Sequence, residues 1–244
     1  MEAGTLYGVG VGPGDPELMT LKAVKTALAC DLIAVPHKDA ARCTALKIAL
    51  GAAPELAEKP LLTVDMPMTK DADLLEESYR KGAALLEAEL TQGKNICFLT
   101  LGDPTVYSTY LYLHQRVTAH GYPGVIIPGV TSFCGAAAAL GISLCENDQQ
   151  LHIIPGTYTP TQALQLPGVK VMMKNNLPAT LEALKAMGAT AAMVENCGME
   201  NEKIYRKLED IPENAGYFSE LAKVAKAIWD EFHPDKINYA TFGD

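Results

Sequence analysis

Three turns rich in glycine and proline could bring ligand-binding groups to one edge of a sheet. Gly12-Pro13-Gly14-Asp15-Pro16 ends one apolar stretch, and two later stretches end at Gly102-Asp103-Pro104 and Pro128-Gly129-Val130-Thr131-Ser132. Glycine has no Cβ, so its backbone can turn tightly and approach a ligand closely. Together the turns offer backbone N–H groups, the Asp103 carboxylate and two hydroxyls. This set is suited to binding one small polar molecule.

The first turn does not fit the glycine pattern of a dinucleotide-binding fingerprint. A G-x-G-x-x-G pattern beginning at Gly8 needs glycine where Pro13 stands, and one beginning at Gly10 needs glycine where Asp15 stands. Proline also lacks the N–H group that would help to bind a pyrophosphate. The sequence therefore argues against an NAD(P)-dependent oxidoreductase.

Each polar residue of the later turns has a structural alternative. Asp103 could bind ligand N–H or hydroxyl groups, or it could cap a helix that begins near Thr105. Thr131 and Ser132 could likewise cap the next helix while their hydroxyls face the same edge. The sequence alone leaves both possibilities open.

Composition and charge exclude several classes of protein. The chain has 244 residues and a net charge of −9, which argues against a nucleic-acid partner but allows a local basic patch for an anionic substrate. No apolar run approaches the roughly 18 residues of a membrane helix, and the segment MEAGTLYG does not resemble a signal peptide. The six cysteines and five histidines follow no zinc-site spacing. We therefore expect a cytoplasmic protein with no membrane partner and no metal.

Hydrophobic patterns predict alternating strands and helices. The predicted strands are Leu6–Val11, Asp31–Pro36, Leu61–Val64, Asn95–Leu101, Val125–Ile127, His152–Pro155, Val169–Lys174 and Ala191–Glu195. The predicted helices are Leu18–Ala29, Ala40–Leu50, Asp71–Gln92, Thr105–His120, Thr131–Leu140 and Pro178–Ala186. This alternation is typical of a mainly parallel α/β sheet, in which ligands bind beyond the carboxyl ends of the strands.

The chain becomes polar near Asn147–Gln150, and the strand–helix pattern then restarts. We therefore predict two α/β domains, residues 1–118 and residues 119–244. Tyr217-Phe218-Ser219 could begin another strand, but the sequence that follows reads as helical and then polar. The sequence therefore leaves open whether a last strand of the second domain follows.

The three turns together resemble a known family. GVGPGDPELMTLKA, LTLGDPTVYST and IPGVTSF resemble, in order and spacing, the tetrapyrrole methyltransferases that use S-adenosylmethionine. AVPHKDAARCTAL and IYRKLEDIPENAGYFS are similar to the branch that methylates C-20 of precorrin-2 or cobalt-factor II. The resemblance implies two α/β domains with the cofactor in the cleft between them, and a homodimer. It also implies a role in cobalamin biosynthesis.

The resemblance also implies which residues contact the cofactor. These are Pro13, Leu101, Gly102, Asp103, Thr131, Ser132, Met173, Ala192 and Val194. Leu101, Gly102 and Asp103 would hold the methionine part through backbone groups and the carboxylate. Met173, Ala192 and Val194 would lie beside the adenine.

An anionic tetrapyrrole substrate needs basic and hydrogen-bonding partners. The candidates are His37, Lys38, Arg42, Tyr107 and Lys174. Lys38 and Arg42 could instead form an ordinary solvated face. A proton must leave the ring after methylation, so a general base could assist; Tyr107, Asp103 and His37 are candidates. Tyr107, Tyr110 and Tyr112 could stack on the macrocycle or pack within the protein.

Other functions remain open at this point. A family member could act on a different ring carbon, on a translation-factor side chain or on ribosomal RNA, although the acidic charge argues against RNA. A protein that binds a nucleotide or cofactor without catalysis is the alternative from a different class. Turnover of S-adenosylmethionine distinguishes these functions.

Overall fold

A computed structural model describes residues 2–156, 158–173, 176–214 and 219–226, the last range as backbone alone. The chain forms two compact units. The first comprises Met1–Gly135 and Cys197–Glu200, and the second comprises Ala136–Asn196 and Asn201–Asp244. The division into domains at residues 118 and 119 stays a prediction.

The first unit is built on a five-stranded parallel sheet. Its strands are β1 (Leu6–Gly10), β2 (Leu32–Val35), β3 (Leu61–Thr63), β4 (Ile96–Thr100) and β5 (Gly124–Ile127), in the order β3-β2-β4-β1-β5. All residues of β2 and β4 are buried. Continuous apolar runs suit such strands because both faces of a parallel sheet are covered. The expectation of an α/β fold is confirmed.

Helices cover both faces of this sheet. α1 (Leu21–Ala29) and α2 (Thr44–Ala52) pack on one face, and α3 (Ala72–Leu90) and α4 (Tyr110–Ala119) pack on the other. Side chains alternate along each strand, so β4 gives Cys97 and Leu99 to the first face, and Ile96 and Phe98 to the second. A further helix, α5 (Ser132–Leu140), follows β5.

The predicted helix Thr105–His120 is wrong over its first five residues. α4 begins only at Tyr110, because residues 103–109 form a turn with its own hydrogen bonds. The Thr105 N–H donates to the Asp103 carboxylate, and the Ser108 hydroxyl is 2.9 Å from the Thr100 hydroxyl. Tyr107 adopts a φ of 48°, which a helix does not allow.

The second unit contains a mixed sheet. Its strands are β6 (Leu151–Pro155), β7 (Val169–Met173), β8 (Ala189–Glu195), β9 (Lys203–Tyr205) and β10 (Ser219–Lys226), in the order β6-β7-β10-β8-β9. β6 and β7 are parallel, and the other pairs are antiparallel. Two helices, α6 (Pro160–Leu164) and α7 (Leu177–Ala186), pack on one face over Ile154, Met172 and Met193.

β10 corrects the expectation that the chain turns helical after Ser219. Residues 219–226 pair with β7 on one side and with β8 on the other, so they form the central strand of the second sheet. Central pairing supplies hydrogen bonds from two neighbours. The helical pattern of the sequence gives no sign of these partners.

The described ranges contain neither a membrane-spanning helix nor a cluster of metal ligands. No helix in them is long and apolar enough to cross a membrane. They also contain no group of three or more His, Cys, Asp or Glu side chains placed to hold a metal ion.

Candidate functional site

The first sheet has a topological switch point between β1 and β4. These strands are neighbours, but the chain leaves β1 toward β2 through α1 and leaves β4 toward β5 through α4. Because α1 and α4 cover opposite faces, the two loops separate at the carboxyl edge of the sheet. Open α/β sheets bind ligands in the crevice at such a point.

The three sequence-predicted turns meet at this edge. The Gly12 and Gly102 backbones exchange hydrogen bonds, with N···O distances of 3.3 and 2.8 Å. A Cβ on Gly10 would lie 2.6 Å from the Gly102 carbonyl oxygen, and a Cβ on Gly129 would lie 2.2 Å from the same atom. No side chain fits between these backbones, so the ends of β1, β4 and β5 are held in contact.

Gly102 also leaves open space beside the third turn. Its φ of +69° favours glycine. A Cβ at this position would meet nothing closer than the Val130 carbonyl oxygen at 3.9 Å and the Ser132 amide nitrogen at 4.0 Å. A ligand can therefore approach the Gly102 backbone from the side that a side chain would block.

The Thr131 hydroxyl can still form a hydrogen bond with a ligand. Its oxygen is buried and has no hydrogen-bond partner among the described residues, so it does not cap α5. The Thr131 carbonyl accepts the Gly135 N–H at 3.1 Å, as the first turn of the helix requires. Ser132 is the first residue of α5, where amide groups lack intrahelical acceptors and the helix dipole favours negative charge. This corner suits a carboxylate with neighbouring polar atoms.

The Asp103 carboxylate is engaged within the protein. One of its oxygens accepts from the Thr105 N–H at 2.7 Å and from the Thr105 hydroxyl, and the other accepts from the Gly129 N–H at 2.9 Å. The residue is 8% exposed. It orders its own turn and ties it to the turn after β5. These hydrogen bonds argue against a role for Asp103 as a general base, because a base needs its lone pair free.

Pro13 and Leu101 complete the predicted contacts in this unit. Pro13 is buried against the first turn of α5, since a Cβ on Gly135 would lie 2.9 Å from its Cγ. Leu101 is half-buried beside Gly102.

A segment that no sequence pattern connects with the site supports the first turn. Cys197–Glu200 belongs to the first unit, although it follows β8 in the chain. A Cβ on Gly14 would lie only 2.1 Å from the Cys197 carbonyl oxygen. Gly198 is the one local signal of a turn there, and it gives no indication of the partner.

Three candidate substrate-binding residues follow β2 at the same carboxyl edge. The His37 Nδ1 accepts the Asp39 N–H at 2.9 Å, which fixes the ring on its own loop. Lys38 and Arg42 are exposed, and neither makes an ion pair with any described residue. They add positive charge to this edge. Lys174 lies outside the described residues.

The three candidate tyrosines have different surroundings. Tyr107 is 57% exposed in the turn after β4. Tyr110 is fully buried against Phe98, with its hydroxyl 2.9 Å from the His114 Nδ1, and burial raises the pKa of that hydroxyl. Tyr112 stacks on Tyr79 with ring centroids 4.8 Å apart. Tyr110 and Tyr112 therefore pack against other aromatic rings, and Tyr107 lies in a turn at the carboxyl edge of the sheet.

The three candidate adenine contacts share one face of the second sheet. Met173 and Val194 pair with the same β10 residue, Glu220, and Ala192 pairs with Ala222. Met172 and Met193 point to the other face, which α6 and α7 cover. Met173 and Val194 are buried and Ala192 is half-buried. The register therefore groups the three side chains, as an apolar contact surface would require.

Comparison with known proteins identifies the family of the chain. The family model for Tetrapyrrole (Corrin/Porphyrin) Methylases matches residues 5–212. A precorrin-2 C(20)-methyltransferase from a Sinorhizobium species is 34% identical over 88% of this chain and 93% of that protein. A cobalt-precorrin-2 C(20)-methyltransferase from Salmonella typhimurium is 32% identical over 89% of this chain and 95% of that protein.

The fold also resembles a solved structure. The uroporphyrin-III-C-methyltransferase from Thermus thermophilus superposes with a TM-score of 0.68 at 24% identity, covering 91% of this chain and 92% of that one. At this identity the likeness concerns the fold. The sequence relatives and the family model show that the chain belongs to the tetrapyrrole (corrin/porphyrin) methylase family.

Proposed function

We propose that this protein transfers a methyl group from S-adenosylmethionine to C-20 of precorrin-2 or cobalt-factor II, in cobalamin biosynthesis. Two relatives that match nearly the whole chain are named for methylation at C-20, which supports this position. The observation that carries the proposal is the crevice at the switch point. There the open side of Gly102 faces the start of α5 beside the unpartnered Thr131 hydroxyl.

The residues at the crevice fit the methionine part of the cofactor. Its carboxylate matches the Ser132 end of α5. The backbone of Leu101 and the second lone pair of the Gly102 carbonyl would add hydrogen bonds, since the Gly102 N–H already donates to the Gly12 carbonyl. Thr131 supplies a hydroxyl that has no other described partner, and Pro13 gives an apolar wall. Asp103 would contribute indirectly, because its hydrogen bond from the Gly129 N–H ties the turn after β4 to the turn after β5. When bound, S-adenosylmethionine supplies a methyl group on a sulfonium, which is already a good leaving group.

We assign the adenine contacts to Met173, Ala192 and Val194. Their common face and their burial support this assignment, since an adenine ring binds best between apolar surfaces.

Catalysis then depends mainly on holding the ring carbon and the methyl group in line. Lys38 and Arg42, with His37 and Lys174, would bind the carboxylates of the macrocycle, and Tyr107 would contact the ring. Tyr107 and His37 are the candidates for a base that accepts the departing proton, although the His37 Nδ1 would first have to release the Asp39 N–H. Asp103 is less suited, because three hydrogen bonds within the protein engage its carboxylate.

We further propose that the protein works as a homodimer in the cytoplasm, with no nucleic-acid partner. The family resemblance supports the dimer, and the net charge of −9 supports the exclusion of nucleic acid.

The test is an anaerobic incubation with S-adenosylmethionine and either precorrin-2 or cobalt-factor II, followed by mass spectrometry and NMR. We expect one added methyl at C-20 and release of S-adenosylhomocysteine. The preferred macrocycle identifies the natural substrate. A methyl at a different ring carbon, or no methylation by a protein that still binds S-adenosylmethionine, would refute the assignment.

A further inference from the structure

A separate cavity runs along one side of α1, from Leu21 at the start of the helix to Cys30 just after its end. Its volume is about 490 Å³, and its lining includes Tyr7 of β1, Asn95 just before β4 and Cys30 just before β2. The turns of the methylation crevice follow the carboxyl ends of the same strands. The cavity and the crevice therefore share no lining residue, although α1 begins just after the first turn. The size falls in the range of small-molecule pockets.

The polar groups of this cavity are mostly hydrogen-bond donors without partners. Lys22 and Lys25 of α1 line it, and neither forms an ion pair with a described residue. The Tyr7 and Thr26 hydroxyls, which also line it, make no hydrogen bond within the described chain. Two ammonium groups and two hydroxyls thus border one space.

The neighbouring acceptors are already used. The Asn95 Oδ1 accepts the Thr5 N–H at 3.0 Å, so its amide NH₂ is the group left for a ligand. No Asp or Glu side chain is among the described residues that line the cavity. The nearest carboxylate along the chain, Asp31, accepts the Asn95 N–H at 2.7 Å. The lining therefore carries two positive charges and several donors, with the single Asp31 carboxylate beside it, in a protein that is acidic overall.

The rest of the lining is apolar. Leu21, at the start of α1, is 79% exposed, and Ala29 and the Cys30 side chain continue the wall. A single exposed leucine is common on protein surfaces, but here it borders the same space as the two lysines. Apolar lining with a few converging polar groups is the usual composition of a ligand site.

We propose that this cavity binds a small organic anion, a carboxylate, sulfonate or phosphate carried on an apolar skeleton. The lysines, hydroxyls and Asn95 amide would bind the charged group, and Leu21 and Ala29 would contact the skeleton. The site is independent of the proposed methyl transfer, since it shares no residue with the methylation crevice.

The test is a fluorescence titration of the full chain with 8-anilinonaphthalene-1-sulfonate, an aromatic sulfonate, at saturating S-adenosylhomocysteine. We expect Lys22→Gln and Lys25→Gln each to raise Kd up to about five-fold, the scale of one exposed ion pair, and the double variant to raise it further. Lys185→Gln, at an exposed lysine in the last turn of α7, is the matched control and should leave Kd unchanged. The three substituted lysines are exposed, and circular dichroism verifies that all four variants fold.

A second arm tests the apolar contact. Leu21→Ser should weaken binding of the sulfonate, and inorganic phosphate, which has no skeleton, should bind about tenfold more weakly than the sulfonate. The proposal is overturned if the double lysine variant binds the sulfonate as the parent does. It is also overturned if phosphate binds as tightly as the sulfonate, or if Lys185→Gln weakens binding equally.

Discussion

At the residue scale, removal of the Thr131 hydroxyl should weaken ligand binding without lowering stability. Its oxygen is buried without a partner in the described structure, so Thr131→Val removes no protein hydrogen bond. We expect the free energy of unfolding to stay level or rise slightly. The Kd for S-adenosylmethionine should rise about five- to tenfold, the value of one hydrogen bond.

Calorimetric titration and thermal melting measure the two effects. Thr131→Ser, which keeps the hydroxyl, is the control and should retain most of the affinity. If Thr131→Val binds the cofactor as well as the parent protein, the hydroxyl does not contact it.

Gly102 offers a second prediction at this scale. Gly102→Ala forces a Cβ into the open space before Val130 and Ser132 and places alanine at a φ of +69°. The backbone strain costs about 1 kcal/mol of stability. The Cβ should also block the approach of the cofactor and reduce its affinity more than tenfold.

Gly188→Ala is the matched control for this strain. Gly188 has a φ of +60°, and a Cβ there would meet nothing within 4 Å. Both variants should lose similar stability in chemical denaturation, but only Gly102→Ala should lose cofactor binding. Equal affinities in the two variants would show that the open side of Gly102 is not used.

Residue types and spacing could predict much of this site, because Gly102, Asp103, Thr131 and Ser132 each follow a strand directly. The sequence could not reveal that the Asp103 carboxylate is taken up by Thr105 and Gly129. That fact depends on the distance between two turns that are far apart in the chain. The contact of Cys197 with Gly14 was hidden for the same reason.

At the element scale, the Tyr110 ring makes a close contact between α4 and β1. The Tyr110 ring occupies the place of a side chain at Gly8, since a Cβ there would lie 2.0 Å from the ring. We expect Gly8→Ala to lower the free energy of unfolding by about 2–3 kcal/mol through overpacking. Urea denaturation measures this change.

A double-mutant cycle tests the cause of that loss. In a Tyr110→Ala background the space beside Gly8 is open, so Gly8→Ala should cost much less. In a Tyr110→Phe background the ring remains, and the full cost should return. Equal costs in all three backgrounds would mean that the Tyr110 ring is not the obstacle.

β10 provides a prediction about strand register. Ala192 of β8 and Ala222 of β10 are directly paired, and opposed Cα atoms of antiparallel strands are about 4.5–5.5 Å apart, within reach of a disulfide. Ala192→Cys with Ala222→Cys should therefore form a disulfide on mild oxidation, as detected by peptide mass spectrometry. The control pairs Ala192→Cys with Leu221→Cys, whose positions lie on opposite faces, and should not. A helix over 219–226 predicts no difference between the two pairs.

The failure to foresee β10 and the late start of α4 has one physical origin. Leu221 and Val224 have the spacing of a helix face, and only pairing with β7 and β8 overrides it. Residues 105–109 read Thr-Val-Tyr-Ser-Thr, which are weak helix formers, and the Asp103 carboxylate draws the Thr105 N–H into a turn. The local hydrophobic pattern predicted the helices and strands that only pack on the core or face solvent. It failed where a distant strand or a buried carboxylate competes for the backbone.

At the scale of the whole molecule, the net charge and the local charge have opposite signs. The protein carries −9, which repels a polycarboxylated macrocycle at long range. Lys38 and Arg42 are exposed and unpaired within the described structure, at the edge where the proposed substrate would bind. Short-range attraction must exceed the repulsion if the proposal is right.

Salt distinguishes the two effects in steady-state kinetics. Salt screens exposed charges beyond about 8 Å at 0.15 M ionic strength, so added salt weakens both the repulsion and the local attraction. We expect the local attraction to dominate and the KM for the macrocycle to rise several-fold between low and high salt. Lys38→Gln with Arg42→Gln should raise KM at low salt and remove most of its salt dependence, with kcat little changed. Lys185→Gln makes the same change of charge on α7 and should keep the dependence of the parent protein. If KM falls with salt in the parent, the net charge governs the encounter and the loop after β2 is not the substrate's anchor.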